Sequence, residues 1–306
     1  MATMSDLLIL LVLLLGLAFV AGFALGPRPG GVSVAHRWRH GDGPRLDMME
    51  HDVTNMSSTE ARKYVAAVEL PPPPRVSLAR EAAEPLKLVK DKTQALVVGS
   101  DVMSFVQGVT PERRQDLVNA SLLAQLVATK RVPDPTGLQA WYDAYFEVLT
   151  NLGFAIQDRQ FAEYTETSAD FEAHEAIINI AATLLGGAPT ALALIKTTLE
   201  ALKTDGPWLT LFTRESQSAK TAKFQVTLAD PGEGDQFLVS LMAFALTAQA
   251  NLAQLLIFKV RSNGATLKHV SGKVTINPEV LASVREDVSR RLETYAKAYV
   301  EALPEL

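Results

Sequence analysis

The chain has 306 residues, 48% of them hydrophobic and 21% charged, with a formal net charge of −5. It contains no cysteine, which excludes disulfides, thiolate metal sites, iron–sulfur clusters and cysteine nucleophiles. The acidic balance, with no Lys/Arg run interleaved with aromatics, argues against nucleic acid as a partner.

Leu7 to Leu25 reads LLILLVLLLGLAFVAGFAL, without one charged or strongly polar residue. As a helix it would span about 28 Å, close to the hydrocarbon thickness of a bilayer. A single transmembrane anchor over 1–26 is therefore expected. A cleaved signal peptide is the competing reading, with Ala18, Ala21 and Ala24 as candidate small residues at the cut. Against it, the six leading residues carry no Lys or Arg, only Asp6. Arg28, Arg37, Arg39 and Arg45 all follow the run, so the positive-inside rule puts the N-terminus outside and the rest in the cytoplasm. Ala18, Gly22 and Gly26 recur at four-residue spacing, a small-residue stripe on which a second helix can pack closely. A protein partner or a second copy of the chain is the expected occupant of that stripe.

Residues 27–93 read as a tether with one helical interruption. Ser57-Ser58-Thr59-Glu60 has capping-box spacing for a short helix ending near Val68. Pro71 to Pro74 must run extended, as a stiff spacer rather than a recognition motif, since nothing flanking it supports recognition.

A compact domain is expected over 94–306. Ala95 to Val106 is apolar and fits a strand or a first helix. Thr110-Pro111 and Asp134-Pro135 each place a capping side chain before proline at the first helical position. The first of these helices runs to about Lys130. In the second, Leu138, Trp141, Tyr142, Tyr145, Leu149 and Leu152 repeat at helical spacing, and Gly153 ends it. Phe154 to Tyr164 reads as a strand. Two helices follow, Asp170 to Leu185 and Thr190 to Lys203, split by Gly186-Gly187 and Pro189.

The period then changes. Lys220 to Ala229 alternates, with Phe224, Val226 and Leu228 on one face. Phe237 to Leu246 is apolar on both faces, which predicts a sheet covered on both sides at its centre. Gln254 to Arg261 is a further strand, and Asn263-Gly264 signals a hairpin returning through Ala265 to Ile276. Asn277-Pro278 caps the longest helix, striped by Leu281, Val284, Val288, Leu292, Tyr295 and Tyr299. The order predicts an α+β fold: a mainly helical layer packed on an antiparallel β-meander, closed by a long C-terminal helix.

No Walker A loop, G-x-G-x-x-G, H-E-x-x-H or G-x-S-x-G pattern occurs. Neither cofactor nor metal is expected. Ser100, after the apolar run Ala95 to Val98, is a weak nucleophile candidate with His174 or His269 as its base; a helix cap is the plainer reading. His174 sits four residues after Asp170, a weak start to a metal site that needs further ligands. Acidic residues at a helix N-terminus explain that segment better. Asp230, Glu233 and Asp235 crowd one turn, but their spacing matches no calcium loop. Trp141, Tyr142 and Tyr145, with Phe146, could line an apolar pocket or simply fill a core. Together these features predict a membrane-anchored, non-enzymatic binding or assembly module. A lipid or apolar-ligand site at the membrane is the first alternative. A hydrolase using Ser100 or His174 is the second.

Overall fold

Helix α1 (Ser58–Ala67) opens the part of the chain seen in a computed structural model, which describes residues 56–75, 86–157, 159–164, 170–232, 237–249, 252, 259–261 and 265–304. All of them lie within the unit Leu46–Leu306. Among the described residues no helix is long and apolar enough to cross a membrane. The run 7–25 and its Ala18, Gly22 and Gly26 lie outside them, as do Asn263 and Gly264.

The capping box expected at α1 forms: Glu60 N–H donates to Ser57 Oγ, and Ser57 N–H donates back to the Glu60 carboxylate. This helix is no free interruption of a tether. Ala61 and Val65 are fully buried, and α1 packs on the C-terminal helix α7 (Pro278–Tyr299). No basic residue stands in its last turn, so Arg291 of α7 supplies the missing donors, reaching the carbonyls of Val65, Ala66 and Val68. Tyr295 Oη donates to the Pro71 carbonyl, which fastens the start of the proline run to the same helix. The packed part of the chain thus begins well before Gln94.

Two strands follow, β1 (Gln94–Val98) and β2 (Asp101–Phe105), joined by Gly99-Ser100. Then come α2 (Pro111–Arg131) and α3 (Leu138–Asn151). The first starts where Thr110 caps Arg113 N–H. The second starts later than Asp134-Pro135 suggests. Asp134 instead accepts from Thr136 N–H and Oγ1, forming a turn, and Gly137 precedes the helix. Gly153, at φ +90°, ends α3. The strand expected over 154–164 is two short pieces, β3 (Phe154–Ala155) and β4 (Ala162–Glu163).

Residues Asp170–Glu172 form strand β5, and helix α4 begins only at Ala173 (Ala173–Leu185). α5 (Pro189–Leu202) follows, then α6 (Pro207–Ser216), which the sequence reading omits. β6 (Thr221–Asp230), β7 (Leu238–Ala248), β8 (Lys259–Arg261) and β9 (Ala265–Ile276) complete the strand-rich part. After α7 the chain adds one more strand, β10 (Val300–Ala302), so the long helix does not close the fold.

The fold class is α+β, and β6, β7 and β9 pair antiparallel as the expected meander, but the sheet as a whole is not one. Its order is β10-β1-β2-β6-β7-β9-β3, with β4 also on β9, and β2 pairs parallel to β6. β5 pairs separately with β8. Nor do the helices form one layer. Leu96, Met103, Ala243 and Val270 point to a core shared with α1, α2, α3 and α7. Val97, Phe224, Phe244 and Leu267 point to a second core under α4, α5 and α6. The two-sided apolar strand β7 lies under both, as its composition requires.

Candidate functional site

Polar side chains are buried in the first core, where strand β2 meets β6. Gly99 makes this possible. Its φ is +58°, and a Cβ there would stand 2.3 Å from Gln125 Oε1. That oxygen accepts from Ser100 N–H at 2.8 Å and lies 3.1 Å from Ser100 Oγ. Gln125 Nε2 donates to the Val98 carbonyl at 2.8 Å and to Ser121 Oγ at 3.0 Å. A helix residue thereby satisfies the backbone of the β1–β2 turn.

The network continues across the sheet. Ser100 Oγ also lies 3.1 Å from Gln225 Oε1, and Gln225 Nε2 donates to Tyr142 Oη at 3.0 Å. Tyr142 Oη lies 3.0 Å from the Phe224 carbonyl and 2.8 Å from that of Phe244, as a shared donor. On the other side, Ser121 Oγ donates to Asp101 at 2.8 Å, and Thr227 Oγ1 sits 3.0 Å from both carboxylate oxygens. Asp101 and Gln225 are each 0% exposed, so every bond in this cluster is made inside the protein. Burial pushes the Asp101 carboxyl up to about 7, against the two hydroxyl donors that pull it down. Burial likewise raises the phenols of Tyr142 and Tyr145 above their ordinary range. Beside Asp101, Ser121, Tyr145 and Thr227 lies a cavity of about 20 Å³, the size of a single water.

Ser100 is therefore not a helix cap but a turn residue bonded to two amide oxygens, neither of which is a base. None of its hydrogen bonds reaches a histidine. His174 is on α4, under the second core, with Nε2 2.8 Å from the Glu200 carboxylate of α5. Asp170 and His174 do not share a helix face, because Asp170 lies in β5. His269 is on β9 across from Phe244, its Nδ1 has no hydrogen-bond partner among the described residues, and burial lowers its pKa. The structure thus keeps the three candidate catalytic residues on separate elements.

Trp141, Tyr142 and Tyr145 are 2%, 0% and 1% exposed and pack as core. Trp141 stacks on Tyr145 at 5.4 Å and donates from Nε1 to Thr129 Oγ1. Of the three, Tyr145 reaches the small cavity. Asp230 accepts from Gly232 N–H at 3.1 Å, a local turn, while Glu233 and Asp235 lie outside the described residues.

Of this network Ser100 and Tyr142 stand out in the sequence, whereas Asp101, Ser121, Gln125, Gln225 and Thr227 do not. A signal existed. With Phe224, Val226 and Leu228 facing one core, Gln225 and Thr227 must face the other, and polar residues at such positions need partners.

No family model matches the chain, and no curated protein matches it. Among solved structures it is similar to a delta-endotoxin, at 17% identity over 63% of this chain and 88% of that one, with a TM-score of 0.37. It is also similar to the Evf virulence factor, at 14% identity over 68% and 82%, with a TM-score of 0.34. Likenesses this distant do not say what the chain does.

Proposed function

We propose that the chain is a membrane-anchored, non-enzymatic binding module, held by residues 7–25 with its N-terminus outside and the folded domain on the cytoplasmic side. The observation that carries this reading is the uncharged run Leu7–Leu25, followed by arginines and preceded by none. The domain adds support, since the Ser100 hydroxyl is bonded to two amide oxygens inside the core and to neither histidine. Through Ala18, Gly22 and Gly26 the anchor packs against a second copy of itself or a partner helix.

The test uses the full chain expressed in cells. It stays in the membrane pellet after an alkaline carbonate wash, and intact mass shows an uncut N-terminus. In mild detergent, Gly22→Ile with Gly26→Ile lowers the cross-linked dimer fraction several-fold. A chain that washes free sinks the anchor, and an unchanged dimer fraction sinks the packing stripe.

One observation favours an apolar-ligand reading as second choice. A pocket of about 170 Å³ opens at the far end of α3, with Phe146, Ile156, Val270 and Val274 in its lining. Gln157, Ser271 and Lys273 share its lining and would meet the polar end of such a ligand. Native mass spectrometry of the full chain that retains no apolar adduct removes this reading.

A further inference from the structure

Asp101 is the one fully buried carboxylate in the polar cluster, and it sits where three elements meet. Its own strand β2 is parallel to β6, whose Thr227 bonds to it, and helix α2 reaches it through Ser121. Helix α3 closes the site through Tyr145, which shares the small cavity with the carboxylate. Tyr142 and Tyr145 are the titratable groups that face it, both from α3. β6 presents the neutral Gln225 and Thr227, and β7 and β3 present Leu241 and Phe154. No cation pairs with it among the described residues. Arg114 of α2 is bonded to carbonyls of neighbouring loops, and Arg285 of α7 to Asp116 and Glu112.

A charged carboxylate in such a place costs heavily, and either a proton or water entry relieves it. We propose that Asp101 is a proton-operated latch: protonated, it holds α2 and α3 against the sheet, and deprotonated, it draws water in at the adjoining cavity and loosens that helical layer. The sign follows from linkage. The folded-state pKa, about 7, lies above the ordinary 3.8, so the folded state holds its proton to higher pH than the unfolded chain. The penalty is absent below 3.8, grows up to about 7 and is constant above.

The experiment compares the full wild-type chain with Asp101→Asn, which keeps the shape and cannot ionise, in detergent at pH 5.5 and 8.5. Between these pH values the wild type's folded-to-unfolded ratio falls about thirty-fold relative to the variant. That corresponds to a relative Tm loss of about 4–8 °C. Hydrogen exchange, corrected for pH, accelerates in α2 and α3 of the wild type alone. Equal pH slopes in the two proteins overturn the latch. Thr227→Val provides a second route if the asparagine variant does not fold. It removes a donor to the charged form and moves the exchange midpoint to higher pH, whereas a merely structural loss lowers Tm equally at all pH. Recovery of the wild type at pH 8.5 by sodium chloride, but not by choline chloride at equal ionic strength, overturns the latch in favour of a cation site.

Discussion

Arg114→Ala will lower the unfolding free energy by about 4 kcal/mol, the largest effect expected of any charged residue in the domain. Arg114 is 0% exposed and has no carboxylate within ion-pair distance among the described residues. Its guanidinium is held by oxygens that carry no full charge. Nε donates to the Val109 carbonyl at 2.8 Å, and Nη1 to Gln94 Oε1 at 2.8 Å. Nη2 donates to the carbonyls of Lys92 at 2.8 Å and Val106 at 3.1 Å. The plane lies over the Phe105 ring at 5.3 Å. Burial draws its pKa down to about 10, so it stays charged at neutral pH. The residue thus binds the segment before β1 to the segment after β2, a pairing that Gly108 N–H to the Lys90 carbonyl repeats at 2.8 Å. Alanine leaves three carbonyls without this donor, each worth about 1–3 kcal/mol when buried. Arg114→Lys recovers roughly half, because a point ammonium cannot reproduce the fork. Urea denaturation decides it. A loss below about 1 kcal/mol for the alanine variant would show that water replaces the guanidinium without cost, contrary to the burial.

Elements bounded by local chemistry were legible in the sequence. Ser57, Thr110 and Asn277 each cap the helix their spacing predicts, and Phe224, Val226 and Leu228 share a face as alternation requires. Asp134 misled, because its carboxylate had a nearer competitor in Thr136 than the helix start. α6 had a signal in Gly206-Pro207 and in Trp208, Leu211 and Phe212, spaced as one helical face, but it lies between two stronger patterns. The non-local features had no signal of this kind. Nothing in Val300–Ala302 announces pairing with β1, about 200 residues earlier in the chain. The parallel register of Asp101 with Gln225 joins segments more than a hundred residues apart. A strand's pattern says which face is buried, not which strand lies beside it or in which direction. The polar cluster is illegible for the same reason, since Asp101, Ser121 and Thr227 become one site only once β2, α2 and β6 are adjacent. Nearby residues that the sequence grouped, such as Asp170 and His174, were separated by a strand–helix boundary.

Phe244→Ala should cost about 4 kcal/mol through the second core, a region untouched by the polar cluster's bonds to side chains. Phe244 is fully buried on β7 and pairs in register with Phe224 of β6. Their rings stack at 4.8 Å with an interplanar angle of 11°. Phe212 of α6 meets Phe224 edge-on at 6.0 Å and 71°. A cavity at Phe244 is hard to close, because the ladder from Thr221↔Thr247 to Asp230↔Leu238 fixes both strands. Helix α4, which packs on β7, is the element free to move, so the size of the loss measures how firmly α4 is seated. Phe244→Leu should cost about 1–2 kcal/mol, and a cycle with Phe224→Leu should show coupling of about 1 kcal/mol from the lost ring pair. Denaturant unfolding of the four proteins gives all three values. A loss below about 1.5 kcal/mol for the alanine variant means the helical layer collapses into the space. In that case α4 to α6 form a loosely seated cover, and the rigidity of the fold resides in the layer that Arg114 and the polar cluster hold together.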